Sequence, residues 1–493
     1  MLKTYLHIAL IAIFCFISSF TQLTLANPPR LTVVVLVDGL RQDNLDMLRP
    51  YWQQGGLRTL SEEAYQTTFT FPHEVYGGNE TTATIMTGVT PSQHGFAMEQ
   101  YFARSDRKAH YLLDDPTQKG INYPLALSPI RLFAPTIGDQ WRMRIGAQAK
   151  IYAIGLHPET AILMAGHSAN ACCWLNSERI CWASTSYYTE GLPSAADKMN
   201  TNGRLTELAA KHWTPRLAIT SYMSPTVQET RKPFDYLPSD CLLTTPTANT
   251  MVIELALALQ QDKHLGSDQV PDILLLELTT RTPQAAADKI QSAEQEDMYL
   301  WLNQDLGFLM QQLEKRVGKT NFNIVVLGRP VLGIGKQTME MAGLSVHELD
   351  ISRMAALTST YLMALYGHER WVDGCHGNTL YLNHALIEQR KISLATIQRQ
   401  VADFLMEFEG IQTAFPINEA LLHPAFMQTI NKHNMGDVIF APLPGWQLYA
   451  NDHQPIDYVL DTQPTAPLLF WSSSFLSMPD GKLSATDIKA LIL

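Results

Sequence analysis

The chain lacks a basic excess. Its 36 Lys and Arg are outnumbered by 47 Asp and Glu, for a formal net charge of −11. General nucleic-acid binding needs a basic footprint, so that class is excluded. An acidic surface by itself names no partner. Beyond its first residues the chain also lacks any apolar run of the ~20 residues that a membrane span requires. It has no internal repeat, low-complexity tract or flexible linker, which favours one large domain carrying an insertion over a string of modules. Cysteine is scarce, at 6 of 493 residues. With 46% hydrophobic and 17% charged residues, the chain can build a core of normal size without disulfides or metals.

The N-terminus reads "MLKTYLHIALIAIFCFISSFTQLTLANPP". Lys3 supplies a short positive region and residues 8–20 an apolar one, too short for a comfortable span. Thr24-Leu25-Ala26 ends a cleavage site, with Asn27 as first mature residue. Residues 1–26 are therefore expected to be a secretory signal, and residues 27–493 a periplasmic or secreted protein with no membrane span; an uncleaved anchor is the alternative. Export permits disulfides among Cys172, Cys173, Cys181, Cys241 and Cys375, with an odd count that leaves one thiol over. "CCWLNSERICW" reads as a hairpin in which Cys181 faces Cys172 or Cys173. A disulfide or buried thiols are expected there rather than zinc, because no fourth ligand lies near.

"RLTVVVLVDGL", "AKIYAIGL", "PDILLLEL" and "FNIVVLG" are continuous apolar runs, suited to strands buried on both faces of a parallel sheet. Between them lie helical patterns, clearest at residues 295–317. The fold class expected is α/β: a central, mostly parallel sheet flanked by helices. Ligands in such folds sit at the carboxyl ends of the strands, where Asp38 stands. Residues from about 100 to 265 have weaker periodicity and more Trp, Tyr, Ser and Pro, and read as an inserted cap.

"VDGLRQD", "TATIMTGVTPSQHGF", "AILMAGHSANACCWLN", "STSYY…LP" and "EDMYLWLNQDL" occur in the order found in the alkaline phosphatase superfamily. The pattern most resembles its secreted bacterial branch with a threonine nucleophile, near the type I phosphodiesterases and nucleotide pyrophosphatases. The resemblance implies an alkaline-phosphatase-like sheet with a cap. It also implies two zinc ions clamping a phosphate, one activating the threonine and one stabilising the leaving oxygen. Placed in register, most of the machinery is missing. The first ligand falls on Asp38. The nucleophile falls on Gly78, the phosphate-holding Asn on Glu99, and the Lys and Arg of the cap on His157 and Glu159. The second-site Asp and His fall about at Thr282 and Ala286, the Asp-His pair on Arg329 and Pro330, and the last His near Ile456, with His453 the nearest imidazole.

Several residues have two readings. Asp38 is either a surviving ligand or a cap for the loop or helix after its strand. Thr81 and Thr82 either replace the nucleophile, with His73, Glu74 or Glu80 as base, or serve the free N–H groups of the helix start. His167 in "AGHSAN" reads as a structural histidine. "DGCHG" at Cys375-His376 has the residue types of a thiol nucleophile pair, and "GIGKQT" misses the glycine spacing of a phosphate loop. The function expected is an exported pseudoenzyme that has lost its two-metal phosphoesterase site, binds no cofactor, and acts by binding or scaffolding, with an envelope protein as a partner. The alternative is an active, zinc-dependent phosphomonoesterase or phosphodiesterase rearranged around Asp38, Glu99, His157 and Thr81.

Overall fold

The structure, a computed structural model, describes residues 29–73, 78–223, 234, 236, 241–283, 292–330, 345, 347–420, 422, 424–431, 434–443, 445–449, 455–456, 464–473 and 481–493. A ten-stranded sheet runs through it. In chain order its strands are β1 (Leu31–Asp38), β2 (Tyr65–Thr70), β3 (Gly120–Ile121), β4 (Ile151–Gly155), β5 (Ala171–Asn176), β6 (Cys181–Thr185), β7 (Asp272–Thr279), β8 (Phe322–Arg329), β9 (Thr465–Ser472) and β10 (Leu483–Ser484). Their order across the sheet is β10-β2-β9-β8-β1-β7-β4-β5-β6-β3. The centre, β8-β1-β7-β4-β5, is parallel, and β9 and β6 run antiparallel to their neighbours.

The apolar runs become strands because both of their faces are covered. All eight residues of β1 are buried. Val33, Val35 and Val37 join one core; Val34 and Leu36 join the other. The first core is closed by α3 (Pro246–Asp262) and α4 (Ala293–Arg316). The second is closed by α1 (Asn79–Thr87) and α2 (Pro158–Ala165), which pack on each other. Successive side chains of a strand point to opposite faces, so a run apolar at every position needs a helical layer on each side.

The segment 100–265, expected as an insertion, supplies four strands of the central sheet, β3 to β6, together with α3. A separate apolar core lies later, between Leu349 and Leu448. It is built around a four-stranded sheet, ordered Val372–His376, Thr379–Leu382, Val438–Pro442 and Ile411–Pro416. The ribbon of Gln100–Ala103 and Lys108–Tyr111 is tied to this lobe. Arg104 pairs with buried Asp437 at 2.7 Å, and Arg107 with Asp373 at 3.0 Å.

The "CCWLNSERICW" hairpin forms, as β5 and β6, but its register places Cys181 opposite Asn176. Cys173 and Cys172 lie three and four residues back along β5, roughly 10 to 13 Å away, beyond the reach of a disulfide. Both are buried thiols, and Cys181 is a free thiol too. The bridge from Cys181 expected as one reading is therefore corrected. Cys375 and His376 sit next to each other on a strand and so point to opposite faces. Burial raises the Cys375 thiol and lowers His376. They do not make a nucleophile pair. "GIGKQT" lies outside the described residues. Among those residues no helix is long and apolar enough to cross a membrane.

Candidate active site

Parallel pairing brings three strand ends together. Asp38, the last residue of β1, stands opposite Arg329 of β8 and Thr279 of β7. Glu277 lies two residues back on β7, opposite Leu36. It is the charged residue in the otherwise apolar stretch "ILLLEL", and it is fully buried. Its carboxylate takes the backbone donors where β4 gives way to α2. Oε2 accepts from Leu156 N at 2.8 Å and His157 N at 3.0 Å, and Oε1 lies 3.0 Å from His157 Nδ1. Glycine at 155 makes room for it, since a β-carbon there would fall 3.0 Å from Glu277 Oε2 and 2.7 Å from Ala161 Cβ.

The centre of the site is the guanidinium of Arg329, 6% exposed. Nε donates to Asp38 Oδ1 at 3.1 Å, Nη1 to Thr82 Oγ1 at 3.2 Å and Thr160 Oγ1 at 2.9 Å, and Nη2 faces Glu277 Oε1 at 3.5 Å. Every guanidinium nitrogen is thus directed at oxygen from β1, β7, α1 or α2. The second oxygen of Asp38 accepts from Arg281 Nε at 2.6 Å. Asp38 is therefore neither a cap nor an open ligand. The helix that follows it, Gln42–Leu48, starts at Arg41 with no side-chain cap.

The charges reinforce one another. Burial raises the Asp38 carboxyl, but Arg329 and Arg281 outweigh it and hold the group well below the ordinary carboxylate range. Burial likewise opposes ionisation of Glu277, and the neighbouring His157 and Arg329 overcome it. Burial would lower His157, yet the Glu277 charge and hydrogen bond raise it above the ordinary histidine value. Asp38 and Glu277 face two guanidiniums and the His157 imidazole, and the carboxylates of Glu80 and Glu159 also act on Arg329 and His157.

Gly78 packs against this cation. A β-carbon at 78 would stand 3.3 Å from Arg329 Nη1 and 3.4 Å from Cζ. Its φ and ψ, −90° and −31°, suit any residue, so the close approach rather than the backbone favours glycine here. Thr81 and Thr82 do not serve free N–H groups, as the simpler of their two readings expected. Both donate to the Gly78 carbonyl, at 2.7 Å and 3.0 Å, and Thr82 also receives Arg329. Among the candidate bases, His73 bonds Thr84 at 2.8 Å, Glu80 is buried, and Glu74 lies outside the described residues.

Of the residues proposed from sequence, Asp38, His157, Thr82 and Arg329 meet. Glu159 is half-buried next to His157 at the start of α2, and burial raises its carboxyl. Glu99 is exposed beside the ribbon, where its carbonyl accepts from Leu112 N, outside these contacts. Thr282 is buried just past β7, and its neighbour Arg281 makes the contact to Asp38. Ala286 and His453 are outside the described residues, and Ile456 belongs to a short strand paired with Trp446–Tyr449. Sequence reasoning missed Glu277, Thr160 and Arg281. A lone charge inside a fully apolar strand was the available signal for Glu277.

The motifs that persist have structural work. His94 of "TPSQHG" is fully buried, bonds Thr84 at 3.0 Å and accepts from Phe96 N at 3.1 Å. Burial, and next to it His73, pushes its pKa well below the ordinary value. His167 of "AGHSAN" pairs through Nδ1 with Asp139 at 3.0 Å, and Asp139 completes the capping box of helix Ile137–Ile145. Asp297 of "EDMYLW" receives Trp213 Nε1, Arg216 N and Tyr222 OH.

A two-zinc clamp does not fit these residues. Arg329, at the end of β8 where the resemblance implies an Asp-His ligand pair, is a buried arginine, and both oxygens of Asp38 are already bonded to guanidiniums. Among the described residues no group of three or more His, Cys, Asp and Glu side chains is arranged to hold a metal ion.

Known proteins share the frame. The family model for type I phosphodiesterase/nucleotide pyrophosphatase matches residues 32–466. The alkaline phosphatase PafA of Elizabethkingia meningoseptica is 28% identical over 327 residues, a match spanning 61% of this chain and 60% of that relative's length. The alkaline phosphatase PhoV of Synechococcus elongatus is 23% identical over 455 residues, 85% of this chain and 80% of its own. The crystal structure of wild-type PafA superposes with a TM-score of 0.80 at 20% identity, covering 94% of this chain and 96% of that one. The chain belongs to the type I phosphodiesterase/nucleotide pyrophosphatase family, within the alkaline phosphatase superfamily.

Proposed function

We propose that this chain is an exported, non-hydrolytic member of its family, acting by binding or scaffolding at the cell envelope. One observation carries the reading: the Arg329 guanidinium fills the space between Asp38, Glu277, Thr82 and Thr160, where a cation-binding hydrolase needs open ligands. Gly78 supports it, because it offers no hydroxyl at the nucleophile register and its missing side chain leaves room for Arg329. A metal-activated nucleophile requires a metal with an open coordination position beside it; here that position is occupied by a side chain that cannot give up its charge. The N-terminal stretch 1–26 supports export as a secretory signal, and the intact sheet and retained motifs support a folded binding module.

The test uses the chain without residues 1–26. Bound zinc is measured by elemental analysis, and phosphomonoester and phosphodiester hydrolysis is assayed with and without added zinc. The expected result is sub-stoichiometric zinc and turnover no greater than that of Asp38→Ala. Stoichiometric zinc, with turnover that Asp38→Ala abolishes, would overturn the proposal in favour of an active phosphoesterase built around Asp38.

A further inference from the structure

We propose that Arg329 is a tethered cation standing in for a metal: it holds the carboxylates of Asp38 and Glu277 together without any exchangeable ion, and its removal opens an oxygen-lined divalent-cation site.

The argument begins with charge. Asp38 and Glu277 are 3% and 0% exposed. Two buried carboxylates this close repel each other and pay heavily for lost hydration unless a cation lies between them. In a metal-dependent relative that cation would be an ion from solution. Here it is covalent, supplied from the end of β8 by strand register alone, because Arg329 stands opposite Asp38. A guanidinium suits the task better than an ammonium. It is planar, permanently charged, and presents several donors in a fixed fork. Three nitrogens reach four oxygens, at 3.1 Å for Asp38, 3.2 Å for Thr82, 2.9 Å for Thr160 and 3.5 Å for Glu277.

The donor set shows what would replace it. Without the guanidinium, Asp38 Oδ1, Glu277 Oε1 and the hydroxyls of Thr82 and Thr160 converge on one vacated volume. The His157 ring is turned to Glu277 through Nδ1 and Arg281 takes the other Asp38 oxygen, so neither His157 Nδ1 nor Asp38 Oδ2 is open to an ion. Carboxylate and hydroxyl oxygens form a hard set, which favours Mn²⁺ or Mg²⁺ over zinc. The site is thus a different one from the dinuclear zinc clamp that the family resemblance implies.

This inference rests on the reading of Arg329 as a metal substitute, and it is tested by stability rather than turnover. Thermal unfolding of the chain without residues 1–26 is followed in EDTA, in Mn²⁺ and in Zn²⁺, for wild type, Arg329→Lys, Arg329→Met and Arg329→Ala. Wild type is expected to keep the same Tm in all three. Arg329→Met should lose several degrees, and Arg329→Lys, which keeps the charge, should lose less. Arg329→Ala should gain Tm in Mn²⁺ relative to EDTA by ligand linkage, and Asp38→Asn added to it should abolish the gain. A wild-type Tm that falls in EDTA would overturn the proposal, because a native metal would then be holding the site. Equal Tm for Lys and Met variants would overturn it too, and so would an Arg329→Ala chain that folds but ignores Mn²⁺. Should Arg329→Ala not fold, the wild-type response to EDTA and the Lys–Met comparison still decide. Hydrolysis by the wild-type chain would sink the non-hydrolytic function while leaving this pattern of Tm values standing.

Discussion

Glu277→Gln is the most informative single change, because it removes one charge and almost no volume. The amide oxygen can still accept from Leu156 N and His157 N, which Glu277 Oε2 now serves. Its NH₂ group then faces His157 Nδ1 and Arg329 Nη2, where the carboxylate Oε1 stands in the wild type. Arg329 keeps Asp38, so the loss should lie near the lower end of the range for breaking a buried pair, about 3 kcal/mol. For a chain of 493 residues the entropy of unfolding is on the order of 1 kcal/mol per degree, so Tm should fall by about 3 °C.

The second readout is His157. Burial acts most strongly to lower its pKa, but the Glu277 charge and hydrogen bond, with Asp38 adding to them, raise it on balance. With glutamine the balance reverses: burial and the Arg329 charge act without Glu277, and the value should drop below that of an ordinary histidine. An NMR titration of the His157 ring measures this directly. The signs fix the pH dependence. The raised His157 contributes its full stabilisation below its unfolded value of about 6.5 and loses it as pH rises through the higher folded value. The lowered Glu277 contributes above its unfolded value of about 4.3 and loses it as pH falls through the lower folded one. The Tm difference between wild type and variant should thus be widest near pH 5 to 6.5, shrink on the alkaline side, and close in acid. A His157 that still titrates above the ordinary value in the variant, or an unchanged Tm, would refute the account of the cluster.

Two further predictions stand on other contacts. Asp305 on α4 is buried; among the described residues its Oδ1 takes a long contact from Thr250 at 3.5 Å and its Oδ2 has no hydrogen-bond partner, and burial pushes its carboxyl up to about 8. The folded state holds that proton while the unfolded chain releases it near pH 4, so stability falls as pH rises between those values. Asp305→Asn should therefore gain Tm over wild type progressively from pH 4 to pH 8, and parallel Tm curves would exclude this. Gly78→Thr restores a hydroxyl at the nucleophile register. Zinc-dependent hydrolysis should remain at background, because Arg329 still occupies the cluster; zinc-dependent turnover above wild type would show that a metal enters regardless.

Much of the frame was legible in the sequence because burial leaves a local signature. Strands covered on both faces must be largely apolar, and β1, β7 and β8 are buried at every position and apolar through most of their length. The end of "FNIVVLG" likewise places Arg329 at the carboxyl edge of the sheet from the sequence alone. How residues 100–265 join the central sheet was less legible. Weak periodicity and aromatic content between 100 and 265 suggested a lobe, but short strands such as Gly120–Ile121 and Cys181–Thr185 take their place from the sheet they extend. The thiols show the same limit: hairpin formation was readable in "CCWLNSERICW", but register was not, and register separates Cys181 from Cys172 and Cys173.

By itself the sequence determined the fold class, which follows from residue pattern along the chain, and its spacing carried the expectation that the family's site positions fall on Gly78, Glu99, His157, Glu159 and Arg329. Only the tertiary structure decided which of these residues meet and what they bond. Arg329, Asp38, Glu277, Thr82 and Thr160 are scattered between residues 38 and 329, and a buried charge chooses its partners by proximity in space. A lone glutamate in an apolar strand announces that some compensation must exist; the parallel register of β8, β1 and β7 determines that the compensation is a guanidinium.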